Sequence, residues 1–392
     1  MTPAARVQAA IEMLDLIVGA AREQGPPADR ILAEWFRGHR FAGSKDRRAI
    51  RDLVYAAIRA CGPVPQSGRA AMLRLAADDS DLAPLFDGSP YGPAPVMSGE
   101  PVAEGGVAPA WLVERLERSG IARQQAQALL GRAPLDVRVN ALRADRDTID
   151  LPEPGEPLAP AQGLRFPSGT PVDQWSAYQD GLIEVQDGGS QIACEAVRAG
   201  PGETVIDLCA GAGGKTLALA AMMQNEGALI AADTDRSRLS RLGPRAERAG
   251  ARIAETVLLN PGRELQALAQ WQGKADAVLI DAPCSGTGTW RRNPEARWRL
   301  TEAQLARLTR TQEHLLDIAA DLLRPGGRLV YVTCSLLDEE GPDRIAAFLS
   351  KHPGWQASQL DLPRGAGRGT GVRLTPFSDE TDGFFIAGAE KP

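Results

Sequence analysis

Three short apolar runs, each ending in a cluster of small or polar residues, constrain the fold of this chain most. They are Val205-Ile206-Asp207-Leu208, Ala277-Val278-Leu279-Ile280 and Leu329-Val330-Tyr331-Val332. The first enters Cys209-Ala210-Gly211-Ala212-Gly213-Gly214-Lys215-Thr216, the second Asp281-Ala282-Pro283-Cys284-Ser285, and the third Thr333-Cys334-Ser335. Such runs read as buried parallel strands that deliver their last residues to the carboxyl edge of one sheet, where α/β proteins place their chemistry. Cys284 and Cys334 are then expected to face one cleft.

From Leu182 onward strand and helix alternate regularly, which predicts a doubly wound α/β sheet with strands at 204–208, 228–232, 252–258, 276–281 and 328–333. The end departs from that pattern, because Val372-Arg373-Leu374 and Gly383 to Gly388 read as a hairpin that closes the sheet with an antiparallel strand. Ahead of it lie three regions. Residues 1–75 read as helical and carry twelve Lys/Arg against seven Asp/Glu, with Arg37, Arg40, Lys45, Arg47, Arg48 and Arg51 clustered. This basic face is either a solvated helix surface or a phosphate contact. Residues 76–108 hold six acids and no Lys or Arg, with Pro and Gly throughout, and read as a linker. Residues 109–180 read as a small α+β unit before the catalytic sheet at 181–392.

The glycine loop lets backbone approach a ligand closely, and the helix after it offers free N–H groups. It is not a phosphate-binding GxxxxGK[ST] loop, because the earlier glycine falls at Cys209. The next strand ends in Asp233, placed to accept hydrogen bonds from ribose hydroxyls, so a nucleoside cofactor is implied. Loop and acid leave NAD and S-adenosylmethionine open; the thiols separate them. Cytosine C5 is a poor nucleophile, and a thiolate adding at C6 makes it enamine-like and able to accept a methyl group. That chemistry needs a nucleophile and a helper for C5 deprotonation, for which Cys334 and Cys284 stand ready. Asp281 is placed for the pyrimidine N3 edge and Lys215 for activating the thiol.

The remaining composition is permissive. Five cysteines without a CxxC pair argue for a reducing compartment, and three scattered histidines support no metal site. With no apolar run of membrane-spanning length and no signal-peptide core, a cytoplasmic protein is expected.

Taken in order, these motifs resemble the Sun/Nop family of RNA cytosine-C5 methyltransferases, and within it the bacterial RsmB-like members. The resemblance runs from about residue 109 to 390 and includes Arg138-Val139-Asn140, Gln186-Asp187-Gly188-Gly189-Ser190-Gln191, Arg291-Arg292-Asn293-Pro294 with Trp298, and Thr381-Asp382-Gly383-Phe384-Phe385. It implies a Rossmann-like class I methyltransferase sheet and an RNA substrate, 16S rRNA by analogy with RsmB-like members. It implies S-adenosylmethionine held by Cys209, Ala210, Gly211, Ala212, Gly213, Gly214, Lys215, Asp233, Asn260 and Asp281. Cys334 would be the nucleophile, and Cys284 would assist release. Arg138, Arg291 and Arg292 would contact the RNA backbone, joined by Arg297 and Arg299, with Trp290 or Trp298 stacking on a base. Two positions depart from the family: Asn260 replaces an acid, and Ala212 replaces the more frequent Pro. The helical N-terminal domain reads as a shortened NusB-like domain, and a monomer without metal or membrane is expected. A DNA cytosine methyltransferase and a non-catalytic ribosome-assembly factor are the rival readings.

Overall fold

In the computed structural model, which describes residues 1–392, the chain forms two compact units. One comprises Met1–Gly131 with Thr289–Thr301, the other Arg132–Gly288 with Glu302–Pro392. No helix is long and apolar enough to cross a membrane.

The first unit is helical. Helices Pro3–Glu23, Ser44–Ala60 and Gly68–Asp78 bury Val7, Met13, Leu14, Ile50, Ile58 and Met72 in one core. Thr2 and Ser67 cap the first and third of these by accepting from Ala5 N–H and Ala70 N–H. The acidic 76–108 segment packs onto the helices through Leu82, Phe86 and Ala103, so its apolar residues belong to the core despite its loop composition.

Within this unit several side chains of the stretch Trp290 to Arg299, expected as RNA contacts, are packed inward. Trp290 is fully buried, and Trp298 lies in the core with its indole N–H donating to Gly62 O at 3.1 Å. Arg297 is fully buried as well, its guanidinium donating to the carbonyls of Ile58 at 2.6 Å, Cys61 at 2.7 Å and Pro294. Arg299 donates to Pro26 O at 2.9 Å and to Gly25 O. Arg291 is buried and Arg292 half-buried. The carbonyls of Ile58 and Cys61 lie at the end of the helix Ser44–Ala60, and there and at Pro294 the arginine fork supplies buried donors.

The second unit holds two sheets. The smaller has the order β2-β3-β1-β4, with β1 Leu135–Val139, β2 Glu156–Pro157, β3 Gly163–Phe166 and β4 Ile183–Val185, all antiparallel. Val137, Val139, Phe166, Trp175 and Ile183 form its core. Arg138 is buried here and donates to Gln186 Oε1 at 2.7 Å, while Gln191 Nε2 donates to Val137 O at 3.1 Å and to Gln186 O at 2.9 Å. The Gln186–Gln191 motif is thus a polar joint between β1 and the helix Gly188–Glu195, and the buried Arg138, expected as an RNA contact, is part of that joint.

The larger sheet runs β11-β12-β13-β9-β8-β5-β6-β7, with β10 also paired to β13. Its parallel part consists of β5 Thr204–Asp207, β6 Ala228–Asp233, β7 Glu255–Leu258, β8 Ala275–Asp281 and β9 Leu323–Thr333. The five expected strands are present. The third is shorter, and the last begins five residues earlier because Leu323 pairs with Ala275 before the chain swings out at Gly326, φ +70°. Beyond them lie β10 Gln356–Ser358, β11 Ala366–Arg368, β12 Gly371–Leu374 and β13 Phe384–Glu390, and β13 runs antiparallel to β9 as expected. Ala277 to Ile280 are fully buried, as a strand covered on both faces must be. The strand order reverses around β5, and there the carboxyl ends of β5, β6, β8 and β9 converge.

Candidate active site

The glycine loop follows β5 directly. Gly211 and Gly213 sit at φ +55° and +88°, and a Cβ on Gly213 would overlap Leu242. Glycine at both positions is therefore a steric requirement. Asp233, at the end of β6, accepts from Gly211 N–H and Asp235 N–H, each at 2.7 Å, which fixes the loop against the next strand. Beneath it Asp207 is fully buried. Its Oδ2 accepts from Thr216 Oγ1 at 2.7 Å, and its Oδ1 has no partner. Burial pushes the Asp207 carboxyl up to about 7 despite the Thr216 hydrogen bond.

Lys215 donates to Asp281 Oδ2 at 2.7 Å. Burial works against the lysine charge, but Asp281 outweighs it, so the ammonium is held above its ordinary pKa. Lys215 also lies over the Phe384 ring at 5.6 Å.

Cys284 lies three residues beyond β8 and Cys334 one beyond β9, and the two Sγ atoms are 3.4 Å apart. The hydrogen bond with Cys334 and then burial push the Cys284 thiol well above its ordinary value. The Cys334 carbonyl accepts from Gly288 N–H at 2.9 Å and Gly383 N–H donates to Gly288 O at 2.8 Å, with the two glycines too close for any Cβ. This is what Gly288 and the Thr381–Phe385 motif do: they lock the two thiol loops together. The other cysteines lie apart from this pair. Burial raises Cys61 and Cys194 to about 11, and burial followed by Asp207 and Asp281 holds Cys209 well above its ordinary value.

A cavity of about 830 Å³ collects Asp233, Asp281, Cys284 and Cys334 from the strand ends, and Arg310 and His314 from the helix Glu302–Leu322. Cys209 lines it too. Asn260 is exposed between the cavity-lining Leu259 and Pro261 and is not itself among the lining residues. Arg307, beside Arg310 on the wall, carried no readable signal in the sequence, where it is one charge on an amphipathic helix. The residues fit a nucleoside-bearing methyl donor: glycines admit backbone contact, and Asp233 keeps carboxylate lone pairs for a ribose diol.

The fold is that of Rossmann-like, S-adenosylmethionine-dependent methyltransferases. Residues 195–389 match the 16S rRNA methyltransferase RsmB/F family. Ribosomal RNA small subunit methyltransferase B of Citrobacter koseri is 36% identical over 289 residues, 71% of this chain and 65% of the relative. That of Salmonella typhi is 35% identical over 293 residues, with the same coverage. The chain thus spans 65% of the length of these curated relatives. Among solved structures, PH0851 aligns over 100% of this chain and 99% of its own with TM-score 0.76 and 27% identity. A methyltransferase homolog protein from Pyrococcus horikoshii aligns over 72% of this chain and 99% of its own, with TM-score 0.58 and 25% identity. Residues 195–389 are thus similar to the RsmB/F family, and the curated relatives that resemble the chain are RsmB-like.

Proposed function

We propose that this chain transfers a methyl group from S-adenosylmethionine to C5 of a cytosine in RNA, of the small-subunit ribosomal class, through a covalent bond between Cys334 and C6. The observation that carries the reading is the 3.4 Å approach of two thiols at the ends of neighbouring strands, in the cavity that Asp233 and Asp281 also line.

The donor, when bound, supplies an electrophilic methyl group; the rest falls to side chains of the chain. In this reading Cys284, whose thiol the Cys334 contact and burial raise, keeps its proton while the two sulfurs lie 3.4 Å apart, and Cys334 is the one that attacks C6. Lys215, whose charge is felt by Cys334, adds positive potential. Asp281, oriented by Lys215, addresses the N3 edge of the pyrimidine. After methylation the C5 proton must leave while the Cys334–C6 bond breaks and the C5=C6 double bond re-forms. With Cys334 bonded to carbon, the hydrogen bond and charge from Cys334 that raised Cys284 are gone; Cys284 then gives its own proton to solvent and, as a thiolate, takes the C5 proton while the Cys334–C6 bond breaks and Cys334 leaves as thiolate. Arg307 and Arg310, exposed on the cavity wall, take the phosphate-contact role first assigned to Arg138, Arg291 and Arg292.

Transfer of labelled methyl groups from S-adenosylmethionine to small-subunit ribosomal RNA lacking the modification tests this, with bisulfite sequencing of the product. A single protected cytosine is expected. Label on another base or only on DNA would overturn the substrate assignment, and no transfer to any nucleic acid would favour the assembly-factor reading.

A further inference from the structure

The acidic run Asp338-Glu339-Glu340 looks like a solvated turn in the sequence, yet the Glu340 side chain is fully buried. Its Oε1 accepts from Ser285 N–H at 2.9 Å and from Gln312 Nε2 at 3.0 Å, and its Oε2 accepts from Ser285 Oγ. Ser285 follows Cys284. Ser285 Oγ lies 3.1 Å from Ser335 Oγ, and Ser335 follows Cys334. Ser335 Oγ lies in turn 3.2 Å from Thr287 Oγ1 and accepts from Leu337 N–H at 3.1 Å, while Thr287 Oγ1 accepts from Leu336 N–H at 2.8 Å. Gln312 also donates to the carbonyl of Pro283 at 2.9 Å, and Tyr331 Oη donates to the Glu340 carbonyl at 2.7 Å.

One proton order satisfies this chain. A carboxylate only accepts, so Ser285 O–H points to Glu340, Ser335 O–H to Ser285 and Thr287 O–H to Ser335, each hydroxyl donating once. Glu340 therefore sits at the head of a network whose members flank both thiols and reach the helix Glu302–Leu322 through Gln312. It does not line the cavity, and its side-chain hydrogen bonds go to Ser285 and Gln312.

We infer that Glu340 is a positioning residue that sets the Sγ to Sγ approach of Cys284 and Cys334 by clamping Ser285 and Ser335, a role that rests on the two-thiol reading above. A buried, fully hydrogen-bonded network specifies one arrangement of the loops it joins. A loop set loose by even about 1 Å loses roughly a hundredfold in rate.

Three variants of the full chain distinguish reach from charge. In Glu340→Gln the amide oxygen accepts from Ser285 N–H and Gln312, the NH₂ donates to Ser285 Oγ, and the hydroxyl order reverses without losing a bond. Glu340→Asp keeps the charge but is one methylene too short, and Glu340→Ala removes the acceptors. The readouts are bridging of Cys284 to Cys334 by dibromobimane, mapped by peptide mass, and kcat for methyl transfer, with KM for S-adenosylmethionine as internal control. We expect Ala and Asp to lose bridging and kcat by about a hundredfold at unchanged KM, and Gln to restore both to within about tenfold. Unchanged bridging in Ala and Asp would overturn the clamp, and Asp active with Gln dead would replace positioning by charge. Bridging lost with methyl transfer intact would leave the clamp standing and refute the two-thiol reading instead.

Discussion

The thiol loops after β8 and β9 and the stretch from Trp290 to Arg299 are both dense in reactive or charged side chains, and they use them in opposite ways. Around Cys284 and Cys334 the polar groups hold each other so that two sulfurs, Asp281 and Asp233 face open volume. Around Arg297 and Trp298 the guanidinium Nη atoms and the Trp298 indole N–H are spent on backbone carbonyls of the same helical unit, and the side chains are buried away from solvent. A cationic side chain in a motif is thus a binding group or an internal strut, and the carbonyls within its reach decide which.

Removing the strut should give the largest stability effect. Arg297→Ala takes the donor from the carbonyls of Cys61 and Pro294 and one of two from that of Ile58, and a loss of about 3 to 5 kcal/mol in chemical denaturation is expected. Exposed Arg37→Ala should stay within about 0.5 kcal/mol. Equal small effects would mean that Arg297 is free after all and would erase the contrast.

The opposite region carries strain that pH should expose. In the folded protein Asp207 titrates near 7, whereas its ordinary value is 3.8, so the folded state holds the extra proton between those values. Stability therefore falls as pH rises from about 4 to 7 and is level above 7, by about 4 kcal/mol in all. Asp207→Asn should flatten that slope in pH-dependent denaturation, gaining on the parent as pH rises. An unchanged slope would show that Asp207 ionises as it does in the unfolded chain.

Smaller effects sharpen the assignment of the cavity. Asp233→Ala should weaken S-adenosylmethionine by about 1 to 3 kcal/mol in calorimetry, the scale of losing hydrogen bonds to a charged acceptor. Replacing Arg307 and Arg310 together should reduce the salt slope of RNA binding by about 1.4, at roughly 0.7 per single-strand phosphate contact. The same slope with weaker binding by a Trp298 variant would point to folding rather than contact.

How far the sequence reached follows the same division. Strand ends were legible because a strand buried on both faces must be apolar until it stops, and the glycines because positive φ excludes other residues. The proximity of Cys284 and Cys334 followed from the adjacency of their strands. Burial of Arg138, Arg297 and Trp298 was not legible, since the carbonyls that claim them come from residues far away in the chain, such as Ile58 and Gly62. Glu340 was hidden for the same reason: among three acids in a turn, only the donors of Ser285 and Gln312 single it out.

The division of labour between the two thiols is the central claim, and denaturing electrophoresis of enzyme incubated with S-adenosylmethionine and substrate RNA tests it most directly. Cys334→Ala should give neither methylated RNA nor a covalent complex, because the bond to C6 never forms. Cys284→Ala should methylate once and then accumulate a protein–RNA complex that survives denaturation, because attack remains and release does not. A complex trapped by Cys334→Ala, or full turnover in both variants, would contradict the account.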